Sequence, residues 1–579
     1  MSKFMSAKEA VKLIKDGDSI AVSGNGGGIM EPDALFEALE DRFLDEGSPG
    51  NLTLTHSAGI GDKDRGGISR FAHEGMVKRV VGGHWGWSPK MQQMANDNKI
   101  EAYNLPQGII ALQYREIAAK RVGVVTQTGL KTFVDPRVSG GKLNDVTKED
   151  LVELVSMDGQ EWLRYKTYPV TVALIRGSIG DEEGNISLAY EPAYLEALAI
   201  AQAVHNCGGI VICQVKYAAK AGSLDPKNVR IPGILVDAVV VHPGQMQTIE
   251  GEYDPALTGD VRMLVESMVP MPLDQRKVVA RRAAMELSKG SVINLGFGMP
   301  DGVARVAAEE GIEGYVKMTI EQGIIGGVPA GGAIFGVAYN SESMIDGPSQ
   351  FDFYSGGGLD MTCLGLAQAD SHGNVNVSRF GPTIAGCGGF IDISQTAKKC
   401  VFCGTFTAGG LKTEIKDGKL EILQEGKHKK FLKDVEHITF SGDYARETGQ
   451  SVLYVTERAV FEMTEEGLVL KEIAPGMNLE KDILGQMDFV PLMPREPQLM
   501  DKRIFMTDPM GLDRWLIRRK KQCSQLHYKQ EVKYYDGRNQ FGKKGRICNI
   551  VRGHTTDQEC PQCSNCGVYG YPGRFGNRG

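Results

Sequence analysis

The sequence predicts an α/β protein made of two homologous open α/β domains with mainly parallel sheets, followed by an atypical C-terminal tail. Three observations predict it. One helix–strand–glycine-loop–helix scheme is written twice. Short β-rich runs alternate with amphipathic helical ones. From Arg514 onward the charge changes sign and cysteines become dense.

The first copy of the scheme is "EAVKLIKDGDSIAVSGNGGGIMEPDALFEALED" and the second is "KVVARRAAMELSKGSVINLGFGMPDGVARVAAEE". In each, an amphipathic helix ends at Asp-Gly or Lys-Gly. A β-branched strand, a glycine loop, a proline and a second helix follow. A further echo joins "GDEEGNISL" (Gly180–Leu188) to "ADSHGNVNV" (Ala369–Val377). Self-similarity over such a distance implies one structural unit used twice.

Runs of buried-strand length support this within each half: "VTVALIRGS", "GGIVICQVK" and "LVDAVVVHP" in the first, "KKCVFCGTF" and "SVLYVTERAVF" in the second. Helical patterns such as "YLEALAIAQAVHN" separate some of them. Strands alternating with helices give parallel sheets covered on both faces. Two prolines interrupt the pattern in "MVPMPLDQRK", Met268 to Lys277. The expected domains are therefore 1–265 and 272–500, with the tail at 513–579.

The bulk numbers agree. A chain of 579 residues exceeds one usual domain. Its 42% hydrophobic and 24% charged residues are those of a globular protein. No run of about 18 apolar residues is present, so no membrane partner is expected. The start, "MSKFMSAKEAVKLIKDGD", lacks the apolar core of a secretory signal and carries Glu9, Asp16 and Asp18, unlike a transit peptide. A cytoplasmic location is the expectation. The net charge is −7, but residues 514–579 carry +10, which leaves −17 on the preceding 513. Five of the 11 cysteines lie in the tail (Cys523, Cys548, Cys560, Cys563 and Cys566), and the other six are scattered, as in a reducing compartment. "CVFC", Cys400 to Cys403, sits in a Val/Phe-rich run and reads as buried strand thiols.

The loops "SGNGGG" (Ser23–Gly28) and "GFGMPDG" (Gly296–Gly302) each follow a strand and open a helix. Such a turn aims backbone N–H groups at an anion. Neither has the pattern of a dinucleotide fingerprint or the Lys of a P-loop, so NAD and ATP chemistry are weak readings. In "MTIEQGIIGGVPAGG", Met318 to Gly332, one carboxylate, Glu321, stands ahead of five glycines. Glycine serves where backbone must bend or approach a ligand closely. From the residues alone Glu321 is a nucleophile, a base, a metal ligand or a surface charge.

A combination of motifs narrows the choice. "AHEGMVKRVVGGHWG", "EAYNLPQG", "TFVDPR" and "GGKLNDVTKED" lie in the first half. "NLGFGMPDG", "IEQGIIGGVPAGG", "QFDFYSGGGLD", "GNVNVSRFGPTIAGCGGFIDIS", "FCGTFTAGGLK", "TERAVF" and "EIAPG" lie in the second. Together, from about Ala7 to Leu512, they resemble a family I coenzyme A transferase of the single-chain acetate or propionate CoA-transferase type. The resemblance implies a duplicated CoA-transferase fold and puts the catalytic glutamate at Glu321. It implies ping-pong exchange through a mixed anhydride and a glutamyl-CoA thioester, a covalent relay that divides one hard step into easier ones. No metal and no tightly bound cofactor is then expected, with CoA and acyl-CoA as substrates.

The same resemblance assigns further residues. "GCGGF" matches the family's G-x-G-G element, so Gly388 and Gly389 are expected as N–H donors to the oxyanion, with Gly386 and Gly388 in contact with CoA. Gln107 is expected to add its side-chain amide from the other half, against the alternative of a turn contact. Gly296, Phe297, Gly298, Met299 and Pro300 are expected to form the wall against the CoA pantetheine or phosphates. "GGGLD", Gly356 to Asp360, lines CoA or ends a strand. His73, Glu74 and His84 look catalytic, yet a His-Glu pair is usually a structural hydrogen bond and the relay needs no imidazole. His372 reads as a turn residue, because the matching loop has Glu183 there.

The expected substrates are acetate and a short-chain acyl-CoA such as acetyl-, propionyl-, butyryl- or acetoacetyl-CoA, with propionate or lactate activation as the near alternative. A homo-oligomer, tetramer or dimer, is expected, with no nucleic-acid partner. The alternative of another class is a non-catalytic acyl-CoA- or sugar-sensing binding protein, which has no reason to keep a nucleophile at Glu321. Members of the family end near Leu512. The tail beyond carries "CPQCSNC", with His527 and His554 upstream, but only one compact ligand cluster where a zinc site wants two pairs. The tail is expected to be a disordered or adventitious extension.

Overall fold

Alternating apolar residues on both sides of a strand bury it between two layers. In Ser19–Val22, Ile20 and Val22 join one apolar layer and Ala21 the other. In Val172–Asp181, Val172 and Leu174 face the first layer, Ala173 and Ile175 the second. This is why these segments read as unbroken apolar runs. The computed structural model describes residues 2–264 and 270–514, and the backbone of 526–535 and 541–551.

The first half holds a parallel sheet in the order Glu101–Asn104, Val77–Gly82, Leu52–His56, Ser19–Val22, Val172–Asp181, Ile210–Ala219, Ala238–Val241. Helix Asp33–Glu46 covers one face through Leu35, Phe36 and Leu39. Helices Gln107–Ala118 and Ala197–Asn206 cover the other through Ile109, Ile110, Tyr114 and Ile200. The second half holds a parallel core in the order Lys317–Ile320, Val292–Leu295, Met361–Gly365, Lys399–Cys403, Ser451–Val455. Antiparallel strands Ala459–Thr464 and Gly467–Ile473 extend it. "SVLYVTERAVF" is thus two strands with a reversal at Thr456–Arg458, because the Thr456 hydroxyl accepts the N–H groups of Arg458 and Ala459 and closes the turn.

The duplication extends to hydrogen bonds. Asp181 accepts the N–H groups of Glu183 and Asn185 at 3.0 and 2.9 Å and the Asn185 amide at 3.0 Å. Asp370 accepts the N–H groups of His372 and Asn374 and the Asn374 amide, each at 3.0 Å. His372 therefore sits in a turn at the position matching Glu183.

Residues 1–513 form one compact unit. One apolar cluster runs through both halves: Ile320, Ile324, Ile334, Cys387 and Ile391 pack with Ala21, Val81 and Ile175. Of the segment between the two expected domains, residues 265–269 lie outside the described residues. The body continues past 500, where buried Arg281 donates to the carbonyls of Arg503, Ile504, Met506 and Asp508. Cys400 and Cys403 are buried free thiols in their strand, as is Cys363 in the adjacent one.

Residues Arg514–Gly579 form a second unit. Its strands Leu526–Tyr535 and Phe541–Val551 pair antiparallel, Leu526 opposite Val551. Cys523, Cys560, Cys563, Cys566 and His554, on which a zinc site would rest, lie outside the described residues. Among the described residues no helix is long and apolar enough to cross a membrane.

Candidate active site

Glu321 stands directly after strand Lys317–Ile320, and the glycines after it fold the chain back. Gly323 has φ +101°, and a Cβ there would lie 2.0 Å from the Ile345 carbonyl oxygen, so only glycine fits. The carboxylate is only 8% exposed. It faces a cavity of about 370 Å³ lined from the first half by Asn25, Lys63, His84, Trp87 and Gln107, and from the second by Phe297, Gln322, Phe335 and Gly386–Phe390. Among the described residues lining this cavity Glu321 is the only carboxylate.

A buried polar bed holds it. Asn294 Nδ2 lies 3.4 Å from Glu321 Oε2 and 3.4 Å from the Tyr354 hydroxyl, which donates to Thr319 Oγ1 at 2.8 Å. Burial raises the Glu321 carboxyl above its ordinary value, opposed by hydrogen bonds from its own backbone, Asn294 and Gln322. A desolvated carboxylate in a dry, shaped site is more reactive toward a carbonyl than one in water.

Gln107 opens helix Gln107–Ala118 just after Pro106, and its backbone N–H donates to the Gly388 carbonyl at 2.8 Å. Its buried carboxamide lines the cavity and makes no hydrogen bond to protein among the described residues. A Cβ on Gly388 would lie 3.8 Å from Gln107 Oε1 and 3.7 Å from the His84 ring. The two glycines expected as donors are placed differently. The Gly388 N–H donates to the Gly83 carbonyl at 2.8 Å and is already engaged. The Gly389 N–H donates to no protein acceptor among the described residues. Gly386, Gly388 and Gly389 all line the cavity.

Gly296 and Phe297 line the Glu321 cavity, while Phe297, Gly298 and Met299 line an adjoining one of about 530 Å³, together with Arg276, Arg305 and Pro329. Phe297 borders both, half exposed, with its ring edge-to-face on Phe335 at 5.3 Å. Pro300 is buried and lines neither cavity.

His84 lies in the cavity wall, and burial holds its imidazole neutral, down to about 4. His73 binds Glu40 at 2.9 Å and Glu74 pairs with Lys99 at 3.2 Å, so the adjacent His73 and Glu74 serve surface structure. "GGGLD" ends a helix: a Cβ on Gly358 would meet the Phe353 ring at 2.3 Å, and Asp360 pairs with Lys398.

Sequence reasoning missed several contributors. Asn25, inside the quoted loop "SGNGGG", donates to the Phe335 carbonyl at 3.1 Å and accepts from Gln322 Nε2 at 3.0 Å. That loop docks on the chain around Glu321. A Cβ on Gly27 would lie 2.2 Å from the Ala333 carbonyl oxygen. Trp87 wedges against backbone, since Cβ atoms on Gly26 and Gly59 would meet its ring at 2.3 and 2.5 Å. The Lys63 ammonium lies 4.7 Å from the Trp87 ring centroid. A glycine facing an aromatic 28 or more residues away is the only sequence signal for such a contact.

Fold and cavity together define a duplicated α/β protein with one carboxylate at the centre of a cleft between its halves. The comparisons supply the class. The Coenzyme A transferase family model matches residues 4–242. Acetate CoA-transferase YdiF of Escherichia coli (strain K12) is 50% identical over 508 residues, covering 88% of this chain and 96% of the relative. Caffeate CoA-transferase of Acetobacterium woodii is 48% identical over 521 residues, 89% of this chain and 99% of that one. The crystal structure of the acyl-CoA transferase YdiF apoenzyme from Escherichia coli O157:H7 superposes with a TM-score of 0.85 at 49% identity, over 88% of this chain and 97% of that one. A thioester complex of YdiF with CoA superposes with a TM-score of 0.84 over the same shares. The chain belongs to the coenzyme A transferase family. It is an enzyme that transfers CoA between an acyl-CoA and a carboxylate.

Proposed function

We propose that Glu321 is the nucleophile of this transfer, and that acetate is its first carboxylate. One observation carries the reading: Glu321 is a desolvated carboxylate facing a cavity that both halves line, with an unbonded Gln107 carboxamide and an unbonded Gly389 N–H on the same cavity. A Glu321 oxygen attacks the acyl-CoA carbonyl, and the C–S bond breaks to leave a mixed anhydride and CoA thiolate. The thiolate attacks the glutamyl carbonyl, the anhydride C–O bond breaks, and the first acid departs. The second carboxylate then reverses both steps on the glutamyl-CoA thioester.

Every step passes through an oxyanion. Gln107 and Gly389 are its donors from opposite halves, each worth about 100-fold to 1000-fold in rate. Gly388 shapes the loop by its backbone and contacts CoA with Gly386. The pantetheine runs past Gly296–Pro300, and Arg276 and Arg305 in the adjoining cavity suit the CoA phosphates. Trp87 and Phe335 leave room for short acids, acetate before propionate or lactate. No tightly bound cofactor enters this chemistry, which exchanges one thioester for another. The proposed location is the cytoplasm, and the proposed assembly is a homo-oligomer, dimer or tetramer. The exposed tyrosines Tyr190, Tyr217 and Tyr253, with ring centroids 5.4 and 6.0 Å apart, suit an interface.

Initial-rate kinetics with labelled acetyl-CoA against acetate, propionate, butyrate, lactate and acetoacetate test the reading. Parallel double-reciprocal lines are expected, with acetate and propionate ahead. Intersecting lines contradict a covalent relay.

A further inference from the structure

The oxyanion donors of the proposed reading come from different halves, and something must hold them in one frame. The hydrogen bonds around helix Gln107–Ala118 show what does. The first N–H groups of a helix lack intrahelical partners. Here both come from the other half: the Gln107 N–H goes to the Gly388 carbonyl at 2.8 Å, and the Gly108 N–H to Asp392 Oδ2 at 3.0 Å, 284 residues away. The residue before the helix, Pro106, gives no side-chain cap.

Asp392 has no exposed surface, and its second oxygen, Oδ1, is buried with no hydrogen-bond partner among the described residues. Burying a carboxyl with one oxygen left unbonded is costly, so folding alone gives little reason for it. Its helix, Phe390–Thr396, starts directly after Gly389, and the Ile393 N–H returns to the Gly389 carbonyl at 3.0 Å. Gly108 completes the joint. A Cβ there would lie 2.4 Å from the Phe351 ring and 2.6 Å from Asp392 Oδ1, so only glycine lets the helix end approach. Asp392 thus grips the residue after Gln107 and stands three residues after Gly389.

We infer that Asp392 is a positioning residue that holds Gln107 against the Gly388–Gly389 loop by capping the Gln107–Ala118 helix across the two halves. It touches no reacting atom; it acts through the helix end. The inference rests on the proposed role of Gln107. When the cap is lost, Gln107 shifts, and a misplacement of about 1 Å costs on the order of 100-fold.

The test is a double-mutant cycle between Asp392→Ala and Gln107→Ala, read as kcat and as KM for acetyl-CoA, with Asp392→Asn as the conservative control. Asp392→Ala is expected to lower kcat about 10- to 100-fold with KM within about 3-fold. Asp392→Asn keeps an acceptor for the Gly108 N–H and should stay within about 5-fold of the parent kcat. In the Gln107→Ala background, adding Asp392→Ala should cost less than about 3-fold, because both remove the same stabilisation. Gly108→Ala, which would ordinarily favour a helix, should instead lower kcat like Asp392→Ala. Multiplying losses in the double variant overturn the inference, as does an Asp392→Ala enzyme with parental kcat. If Asp392→Ala does not fold, the cycle is run with Asp392→Ser and Gly108→Ala, and independent losses there overturn it equally. If Gln107→Ala alone leaves kcat intact, the reading of Gln107 falls first, and the inference with it.

Discussion

The backbone N–H of Gln107 donates to the carbonyl of Gly388 at 2.8 Å, and this bond ties the helix that carries the cavity's free carboxamide to the loop that carries its free N–H. The Gly388 N–H is tied in turn to Gly83 in the first half at 2.8 Å. Donors held this way need no reorganisation when charge develops.

Gln107→Ala should therefore lower kcat about 100-fold to 1000-fold. Its thermal midpoint should stay within about 2 °C of the parent, since the side chain makes no hydrogen bond to protein among the described residues. Steady-state kinetics and calorimetry check both. A fall in stability with little loss of rate would assign Gln107 to structure.

The acid end of the cavity should be set by Trp87. Trp87→Ala opens space beside Gly26 and Gly59, and each added methylene is worth roughly 1–3 kcal/mol in such a pocket. The ratio of kcat/KM for butyrate over acetate should rise at least 10-fold. An unchanged ratio places acid selection elsewhere.

Stability should depend on pH through Glu196. Burial raises this carboxyl to about 7, against hydrogen bonds from Ser57 at 2.6 Å and from its own backbone N–H. A glutamate in the unfolded chain titrates near about 4.3. Between those values the folded state keeps a proton that the unfolded state has lost, so this contribution is complete below the unfolded value and is lost as pH rises to about 7. The loss approaches about 4 kcal/mol at about 1.4 kcal/mol per unit. His56 and His84, held neutral down to about 4, act in the opposite sense between about 4 and 6.5. The comparison is therefore between the parent and Glu196→Gln. The thermal midpoint of the parent should fall relative to the variant from pH 4.5 to 7.5. A constant difference contradicts the assignment.

A chain ending at Leu512 should fold and turn over like the full chain, because it keeps the polar anchors of the body among the described residues. Glu310 accepts the N–H groups of Met510 and Leu512 at 2.6 and 3.0 Å, after Arg281 has taken its four carbonyls. A chain ending at Met500 leaves the Arg281 guanidinium buried without them, at a cost of at least about 3 kcal/mol. Thermal midpoints and kcat of the chains, with and without a zinc chelator, decide it. Loss on cutting at Leu512, or chelator sensitivity of the full chain alone, assigns the tail a metal-bound role.

Much of the fold was legible because its signals are local. Continuous β-rich runs marked the strands, and the two Asp-x-x-x-Asn turns marked the duplication down to its hydrogen bonds. Glu321 stood out as a carboxylate ahead of a glycine turn, but that pattern alone left four roles open, and the family resemblance chose among them. The rest of the site is made by contacts between residues far apart in sequence. The loop "SGNGGG" looks like an anion cradle until Gly27 is seen against the Ala333 carbonyl. Gly388 looks like a donor until its N–H is found on Gly83. Asp392 reads as an ordinary helix residue, since its partner Gly108 lies in the other half. A local pattern reports what a segment can form, and a pairing across halves leaves no mark in either segment alone.

Mass spectrometry of the enzyme after incubation with acetyl-CoA and no acceptor acid tests whether Glu321 forms a thioester with CoA. The peptide containing Glu321 should gain the mass of CoA less one water, borohydride should reduce the adduct, and Glu321→Gln should abolish it while CoA still binds. An adduct on a cysteine, or an unmodified Glu321 peptide in an enzyme that turns over, would contradict it.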